Sequence, residues 1–320
     1  MKTYNEDLRQ RMIAYRDKAK AAGVAQNKIA SAIGISQTLL SQYCNGKYEG
    51  DISETERKVE EFLRTRELAA QTQEQTAPYR QSGQYVPITV SEDVYRAIQF
   101  CQMERGLAVL YGDAGVGKTM GAKKFVRDHP LNAVYFRSGP IDGGLTATMR
   151  NLAEHLKVPD CRNRQDMLRG IKARLRGTDK VIIIDEAQNL KYETLQQLYQ
   201  LTDEDDETGE PGTGICLIGN QEVYDRMLGR QEAQFAQQFT RVKLRRSYSI
   251  AKMTKEDFAK IFPMLADDEH KKELDFLFKV ARGRWGIRGA VNIYNNAANT
   301  EDISEKNLRE WTMNIGVGVL

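Results

Sequence analysis

Leu107-Ala108-Val109-Leu110-Tyr111-Gly112-Asp113-Ala114-Gly115-Val116-Gly117-Lys118-Thr119 is the stretch that decides the fold. An unbroken apolar run up to Tyr111 is what a strand buried on both faces looks like. It opens into G-x-x-x-x-G-K-T, and a helix-like run follows from Met120 to Arg127. Strand, loop and helix in that order are the context in which this spacing cradles phosphate. Glycines let backbone N–H groups turn inward around anionic oxygens, and the helix N-terminus adds the positive end of its dipole. The expected ATP-binding set is Gly112, Asp113, Ala114, Gly115, Val116, Gly117, Lys118, Thr119 and Met120. Lys118 would reach the β- and γ-phosphates, and the Thr119 hydroxyl would hold Mg²⁺. The alternative is a glycine-rich turn between strand and helix, against which the Lys118-Thr119 pair weighs.

Downstream, Val181-Ile182-Ile183-Ile184-Asp185-Glu186 supplies a second buried strand that ends in two acids. Burying two carboxylates without a cation is costly, which a metal-bound site explains. Asp185 is the expected second metal residue, and Glu186 the group that orients or deprotonates an attacking water. Ile215-Cys216-Leu217-Ile218-Gly219-Asn220 is a third such strand. Asn220 could position water or sense the γ-phosphate, or serve as a turn residue after Gly219.

Around these strands the chain falls into segments without internal repeat. Residues 86–248 alternate β-rich runs (Leu107–Tyr111, Ala133–Phe136, Val181–Ile184, Ile215–Ile218) with helical patterns. That predicts an α/β core with a mostly parallel sheet. Residues 249–320 return to helical periodicity, with Leu274, Leu277, Phe278 and Ala281 on one face, and read as a helical lid. Residues 1–66 read as a small all-α domain, closed by an amphipathic stretch carrying Val59, Phe62 and Leu63. Between them, residues 67–85 hold five glutamines, few aliphatics, a proline and a glycine, a composition suited to a linker.

Composition excludes several classes. Hydrophobic residues make up 41% and charged residues 28% of 320, which fits a globular chain of about two domains. No stretch approaches the ~20 apolar residues of a membrane span, and the charged start lacks an apolar signal core. Cys44, Cys101, Cys161 and Cys216 have no paired spacing, which argues against a CxxC motif and for reduced thiols in a cytoplasm. With three scattered histidines, a His-based metal site is not expected. Net charge is 47 − 44 = +3, so any argument for nucleic acid must be regional.

GDAGVGKT, VIIIDEAQNL, ICLIGN and a late Gly286-Ile287-Arg288 together resemble the Walker A, Walker B, sensor 1 and sensor 2 elements of AAA+ ATPases. Their spacing is similar to that of the transposition-associated branch, the TnsC/TniB-like group that includes the phage Mu B proteins. The resemblance covers roughly residues 86–310. It implies that Arg288 contacts ATP from the lid and that an arginine completes the site across a subunit boundary. Arg226, Arg230, Arg241 and Arg245 are candidates for that arginine. Arg241, after a helical pattern and just before Val242, takes the place where the family's trans-acting finger falls; a solvated helix-end cation is the alternative.

The run from Gln26 to Gly46 reads as a helix-turn-helix. Ala30 is small where two helices cross, Gly34 permits a tight turn, and Ser36 caps the second helix. Ile35, Leu40 and Tyr43 can pack inward. This resembles phage-repressor-type domains, and on that alignment Gln37, Thr38, Ser41 and Gln42 project from the recognition helix. From Lys2 to Lys47 there are eight basic and three acidic residues, a local +5. A helical protein-interaction domain is the alternative. The transposition branch likewise begins with such a domain and a polar linker, and Asn45–Asp51 resembles its counterpart there, so the architecture matches end to end.

Two basic patches mark the α/β core. Arg162, Arg164, Arg169, Lys172, Arg174, Arg176 and Lys180 lie close together with two acids, as a surface for DNA or a neighbouring subunit. Arg241 to Lys255 has six bases and no acid. Opposite in sign, Asp203–Glu210 has six acids in eight residues and is expected as a solvated loop, or as a partner for a basic surface elsewhere. The resemblance implies an ATPase that forms filaments on double-stranded DNA, largely without sequence preference, and recruits a transposase. A replication helicase loader and an ATP-switched helix-turn-helix transcription regulator remain the alternatives.

Overall fold

A computed structural model of the chain describes residues 4–76, 85–160, 163–205, 208–228 and 242–316. The chain divides into two compact units, residues 1–80 and 81–320.

In the first unit four helices are described: α1 (Glu6–Ala21), α2 (Gln26–Ile33), α3 (Gln37–Cys44) and α4 (Ile52–Thr76). Asn5 accepts from the Leu8 N–H at 3.2 Å and caps α1. Between α2 and α3 the backbone turns at Gly34, whose φ of 77° would strain any residue with a Cβ. Ser36 Oγ then accepts from the Leu39 N–H at 3.1 Å. Met12, Ile29, Ala30, Leu40, Tyr43, Val59 and Leu63 form the buried core. Gln37, Thr38 and Gln42 are left exposed on α3, and Ser41 half-buried.

The segment expected as a linker from residue 67 begins as helix: α4 continues to Thr76. Its Glu, Ala and Gln residues have good helix propensity, so a lack of aliphatic side chains did not mark a helix end. The division between the units falls between Arg80 and Gln81.

The second unit is built on a five-stranded sheet in the order β2-β3-β4-β1-β5. The strands are β1 (Leu107–Gly112), β2 (Ala133–Arg137), β3 (Val181–Asp185), β4 (Gly214–Ile218) and β5 (Val242–Tyr248), and every pairing is parallel. Parallel strands need crossover helices on both faces. On one face Val109, Ile182, Ile184, Ile215 and Leu217 pack with α7 (Leu145–His155), α8 (Arg164–Leu175) and α9 (Tyr192–Thr202). On the other, Ala108, Leu110, Ile183, Cys216 and Ile218 pack with α5 (Thr89–Glu104) and α6 (Lys118–Asp128). The strand residues alternate between the two cores, which is why β3 is apolar up to Asp185 and β4 throughout. After β4 comes α10 (Gln221–Leu228).

Residues beyond β5 form the helical lid, with α11 (Lys255–Ile261), α12 (Lys271–Arg282), α13 (Gly286–Ala298) and α14 (Glu305–Asn314). Leu274, Leu277 and Ala281 are buried in its core as expected, and Phe278 is half-buried against it. No helix among the described residues is long and apolar enough to cross a membrane.

Candidate active site

The phosphate loop leaves β1 at Gly112 and enters α6 at Lys118. Gly112 has φ 131°, and a Cβ there would lie 2.0 Å from the Tyr248 carbonyl oxygen, so only glycine fits beside β5. Lys118 is 9% exposed, and its ammonium donates to the carbonyl oxygens of Gly112 at 2.9 Å and Asp113 at 2.7 Å. Burial pushes its pKa below the ordinary lysine value, while Asp185, Asp113 and Glu186 pull the other way. A cation in this position is poised for an anionic ligand. Asp113, expected among the ATP ligands, turns its side chain away and accepts from Ser249 and Ile250. It is not part of the cavity lining, whereas Gly112, Ala114 to Thr119 and Met120 are.

At the end of β3, Asp185 is 3% exposed. Its Oδ2 accepts from the Thr119 hydroxyl at 2.8 Å and the Tyr135 hydroxyl at 3.1 Å. Burial, then the charge of Asp185, pushes the Tyr135 phenol upward in pKa. The two expected metal residues are therefore in contact. Both offer hard oxygen donors of the kind Mg²⁺ takes. Among the described residues no group of three or more His, Cys, Asp or Glu is placed to hold a metal ion.

Glu186 follows in a left-handed conformation, φ 55°. Strand register explains its surroundings, because Arg137 is the β-sheet partner of Asp185. The Arg137 guanidinium donates to Glu186 Oε1 at 2.5 Å, and Gln188 donates to Oε2. Burial works to raise the Glu186 pKa. The hydrogen bonds from Arg137 and Gln188, helped by the Arg137 and Arg288 charges, outweigh it and leave the carboxylate below the usual glutamate range. Arg137, Tyr135 and Gln188 were not singled out in the sequence. The available signal was polar side chains at the end of a strand next to β3, and it needs the pairing register to be read.

Asn220 lines the same cavity and caps α10 as well, its Oδ1 accepting from the Glu222 N–H at 2.9 Å. Its own N–H reaches Gln188 Oε1 at 3.4 Å, so Gln188 bridges the ends of β3 and β4. The lid completes the enclosure. Ile287 N–H donates to the Gly115 carbonyl at 3.2 Å, and Arg288, exposed in the first turn of α13, lines the cavity. The cavity measures about 450 Å³, and Val86, Ile88, Ile261, Ile287 and Val291 add apolar lining to the polar groups. That combination suits a ligand with a flat apolar-faced base and a charged tail. Arg241 lies outside the described residues, as do Arg230 and the side chain of Arg226, while Arg245 sits within β5.

The DNA candidates are more scattered. Arg162 lies outside the described residues; Arg164 and Arg169 are exposed on α8 and Lys172 is half-buried. α8 leads into the N-terminal end of β3, the end of the parallel sheet opposite the one from which the phosphate loop leaves β1. Part of this basic face is neutralised within the chain: Arg169 pairs with Asp166 at 3.5 Å, and Arg176 pairs with Asp205 and, at 4.0 Å, with Glu210. Among the described residues of the acidic segment, Asp203 and Glu204 are exposed as in the solvated loop expected, while Asp205 and Glu210 lie against Arg176 at the end of α8.

A five-stranded parallel sheet of this order, with a phosphate loop, an Asp-Glu strand end and a helical lid over the cavity, is the fold of an AAA-type P-loop ATPase. Residues 101–227 match the AAA domain family. The chain is 28% identical over 266 residues to the Mu-like prophage FluMu DNA transposition protein B of Haemophilus influenzae, covering 81% of this chain and 88% of that one. It is 26% identical over 304 residues to the ATP-dependent target DNA activator B of Escherichia phage Mu, covering 92% of each. Among solved structures, Cdc6p from Pyrobaculum aerophilum superposes with a TM-score of 0.54 at 20% identity over 73% of this chain and 70% of that one, a likeness of fold.

Proposed function

We propose that this chain is an ATP-hydrolysing, DNA-binding activator of target DNA in transposition. The observation that carries this reading is its similarity over 92% of its length to a named target DNA activator, in a chain whose Lys118, Thr119, Asp185 and Glu186 meet in one cavity.

ATP would seat its base against Val86, Ile88, Ile261, Ile287 and Val291 and its phosphates on the loop. Lys118 would exchange the Gly112 and Asp113 carbonyls for β- and γ-phosphate oxygens. Thr119 and Asp185 would hold Mg²⁺, which when bound would supply positive charge to offset that of the phosphates. Glu186 would release Arg137 or Gln188 and take the proton of the attacking water, with Asn220 positioning that water. Arg288 would meet the γ-phosphate from the lid. Arg241, offered by a neighbouring copy of the chain, would stabilise charge in the transition state. A nucleotide shared in this way joins subunits, and hydrolysis loosens the joint.

ATP-bound copies would then assemble as a filament on double-stranded DNA in the cytoplasm. Contacts from Gln37, Thr38, Ser41 and Gln42 on α3 and from Arg162, Arg164, Arg169 and Lys172 near α8 would fall mostly on phosphates, so sequence preference would be slight. A transposase would be recruited to the filament. Negative-stain images of the chain with ATP, with and without duplex DNA, test this. ATP-dependent filaments on DNA support it; particles that never extend along DNA overturn it.

A further inference from the structure

Asp113 sits inside the phosphate loop, where a carboxylate is electrostatically adverse to a phosphate ligand. Its side chain has another occupation. Oδ2 accepts from the Ile250 N–H at 2.8 Å and from the Ser249 hydroxyl at 3.0 Å, and its own N–H donates to the Tyr248 carbonyl at 2.9 Å. Tyr248 ends β5, and Ser249 caps the short 3₁₀ turn Ile250–Lys252 that leads into the lid. That turn is tied to the lid in turn, because Arg282 of α12 donates to the Ala251 carbonyl at 3.3 Å. The carbonyl oxygen of Asp113 accepts from Lys118 Nζ at 2.7 Å. One residue therefore holds the Lys118 ammonium on its carbonyl and the turn into the lid on its carboxylate. Two positions along the loop, Gly115 accepts from Ile287, beside Arg288.

We propose that Asp113 is a positioning residue that transmits occupancy of the phosphate loop to the lid. When Lys118 leaves the Asp113 carbonyl for phosphate, the Asp113 peptide is freed to re-seat. Its carboxylate carries Ser249 and Ile250 with it, and the lid brings Arg288 to the ligand. The contact is made outside the cavity, so it governs how the lid responds to ATP and not whether the loop binds it. This rests on the reading of the cavity as an ATP site.

The chain's two tryptophans give the test a readout that does not depend on turnover. Trp285 is 45% exposed and immediately precedes α13, and Trp311 lies in α14. In a Trp311→Phe background, Trp285 fluorescence reports the seat of the lid as a non-hydrolysable ATP analogue and Mg²⁺ are added. In Asp113→Ala, analogue affinity should stay within about threefold of wild type. The Trp285 response should fall by about half or more, and kcat by about tenfold with a smaller change in KM. Asp113→Asn, which keeps an acceptor oxygen, should recover most of both. A full Trp285 response with wild-type kcat in Asp113→Ala overturns the inference, as does a loss of analogue binding by the folded variant. If Asp113→Ala does not fold, Ser249→Ala decides: a weakened response supports the inference and a full one overturns it. A wild-type chain that binds no analogue overturns the ATP reading along with this one. A wild-type chain that binds and responds beside a fully responsive Asp113→Ala overturns this one alone.

Discussion

Arg137 and Glu186 form an ion pair of 2.5 Å across the ends of adjacent strands, placed there by the register that sets Arg137 beside Asp185. With Gln188 on the other oxygen, both Glu186 oxygens are engaged. A carboxylate in that state is charged but not free to receive a proton from water. The candidate base is thus held in reserve until one of its donors moves.

Arg137→Ala should therefore raise ATP turnover in the absence of DNA by about three- to tenfold. Phosphate release without and with DNA measures it; unchanged basal turnover would show that Arg137 does not restrain Glu186. The pH dependence has a defined sign. Arg137 helps to hold the Glu186 pKa below its ordinary value, so its loss raises that pKa and moves the acid limb of kcat/KM to higher pH. For the folded protein, a depressed glutamate pKa contributes stability above the ordinary glutamate value, and this is lost as pH falls through the folded value.

Lys118→Ala should abolish the thermal stabilisation given by ATP. A ligand at about 100 times its Kd stabilises by about 2.7 kcal/mol in the protein that binds it, and the variant should gain almost none. Glu186→Gln should keep that gain while turnover falls by about 100-fold or more. Thermal melts with and without nucleotide, beside a phosphate-release assay, separate the two. A Lys118→Ala protein stabilised as well as wild type would remove Lys118 from phosphate binding.

What the sequence disclosed depended on how local each signal is. The loop from Gly112 to Thr119 and the Asp185-Glu186 strand end are short, contiguous and chemically unusual, so they were legible. So were Gly34 and Ser36, where backbone conformation and capping select the residue. Arg137 and Gln188 owe their roles to strand pairing and to a turn, which link residues distant in sequence. Asp113 was assigned by its place in the loop, but its carboxylate answers to Ser249 and Ile250, more than 130 positions away. The acidic segment after α9 was read from charge alone, and charge does not say that Arg176 lies beside Asp205.

DNA affinity should discriminate among the basic residues of α8 and its C-cap, Arg176. Each phosphate contact removed should flatten the plot of log affinity against log salt by about 0.9. Arg164→Ala and Lys172→Ala should do so if α8 contacts DNA. Arg176→Ala should change the slope little, since Asp205 and Glu210 already share its charge. Fluorescence anisotropy of a labelled duplex at several salt concentrations, with an ATP analogue present, measures the slopes. Equal slopes in all three variants and wild type would move the DNA surface away from α8.

The place to cut between the units follows from α4. Val59 and Leu63 are buried in the first unit's core, and Glu67 pairs with Arg11 at 2.8 Å. A deletion ending at Arg66 would leave Glu67–Thr76 as a stub without the unit it belongs to, so the informative fragment is 81–320. It retains the phosphate loop, Asp185, Glu186, Asn220, Arg241 and Arg288, and ATP-dependent assembly should persist. It loses the eight basic and three acidic residues between Lys2 and Lys47 and the exposed face of α3, so DNA affinity should fall and its salt dependence should flatten. A milder version leaves the chain whole. Leu40 is fully buried at the centre of the small unit, and Leu40→Ala should destabilise that unit by about 2–5 kcal/mol. DNA affinity should then fall on warming through the unit's own transition while ATP-dependent assembly continues. If 81–320 fails to assemble with ATP, the small unit is part of the assembly interface. If it assembles and binds DNA as the full chain does at every salt concentration, α3 docks protein and not DNA.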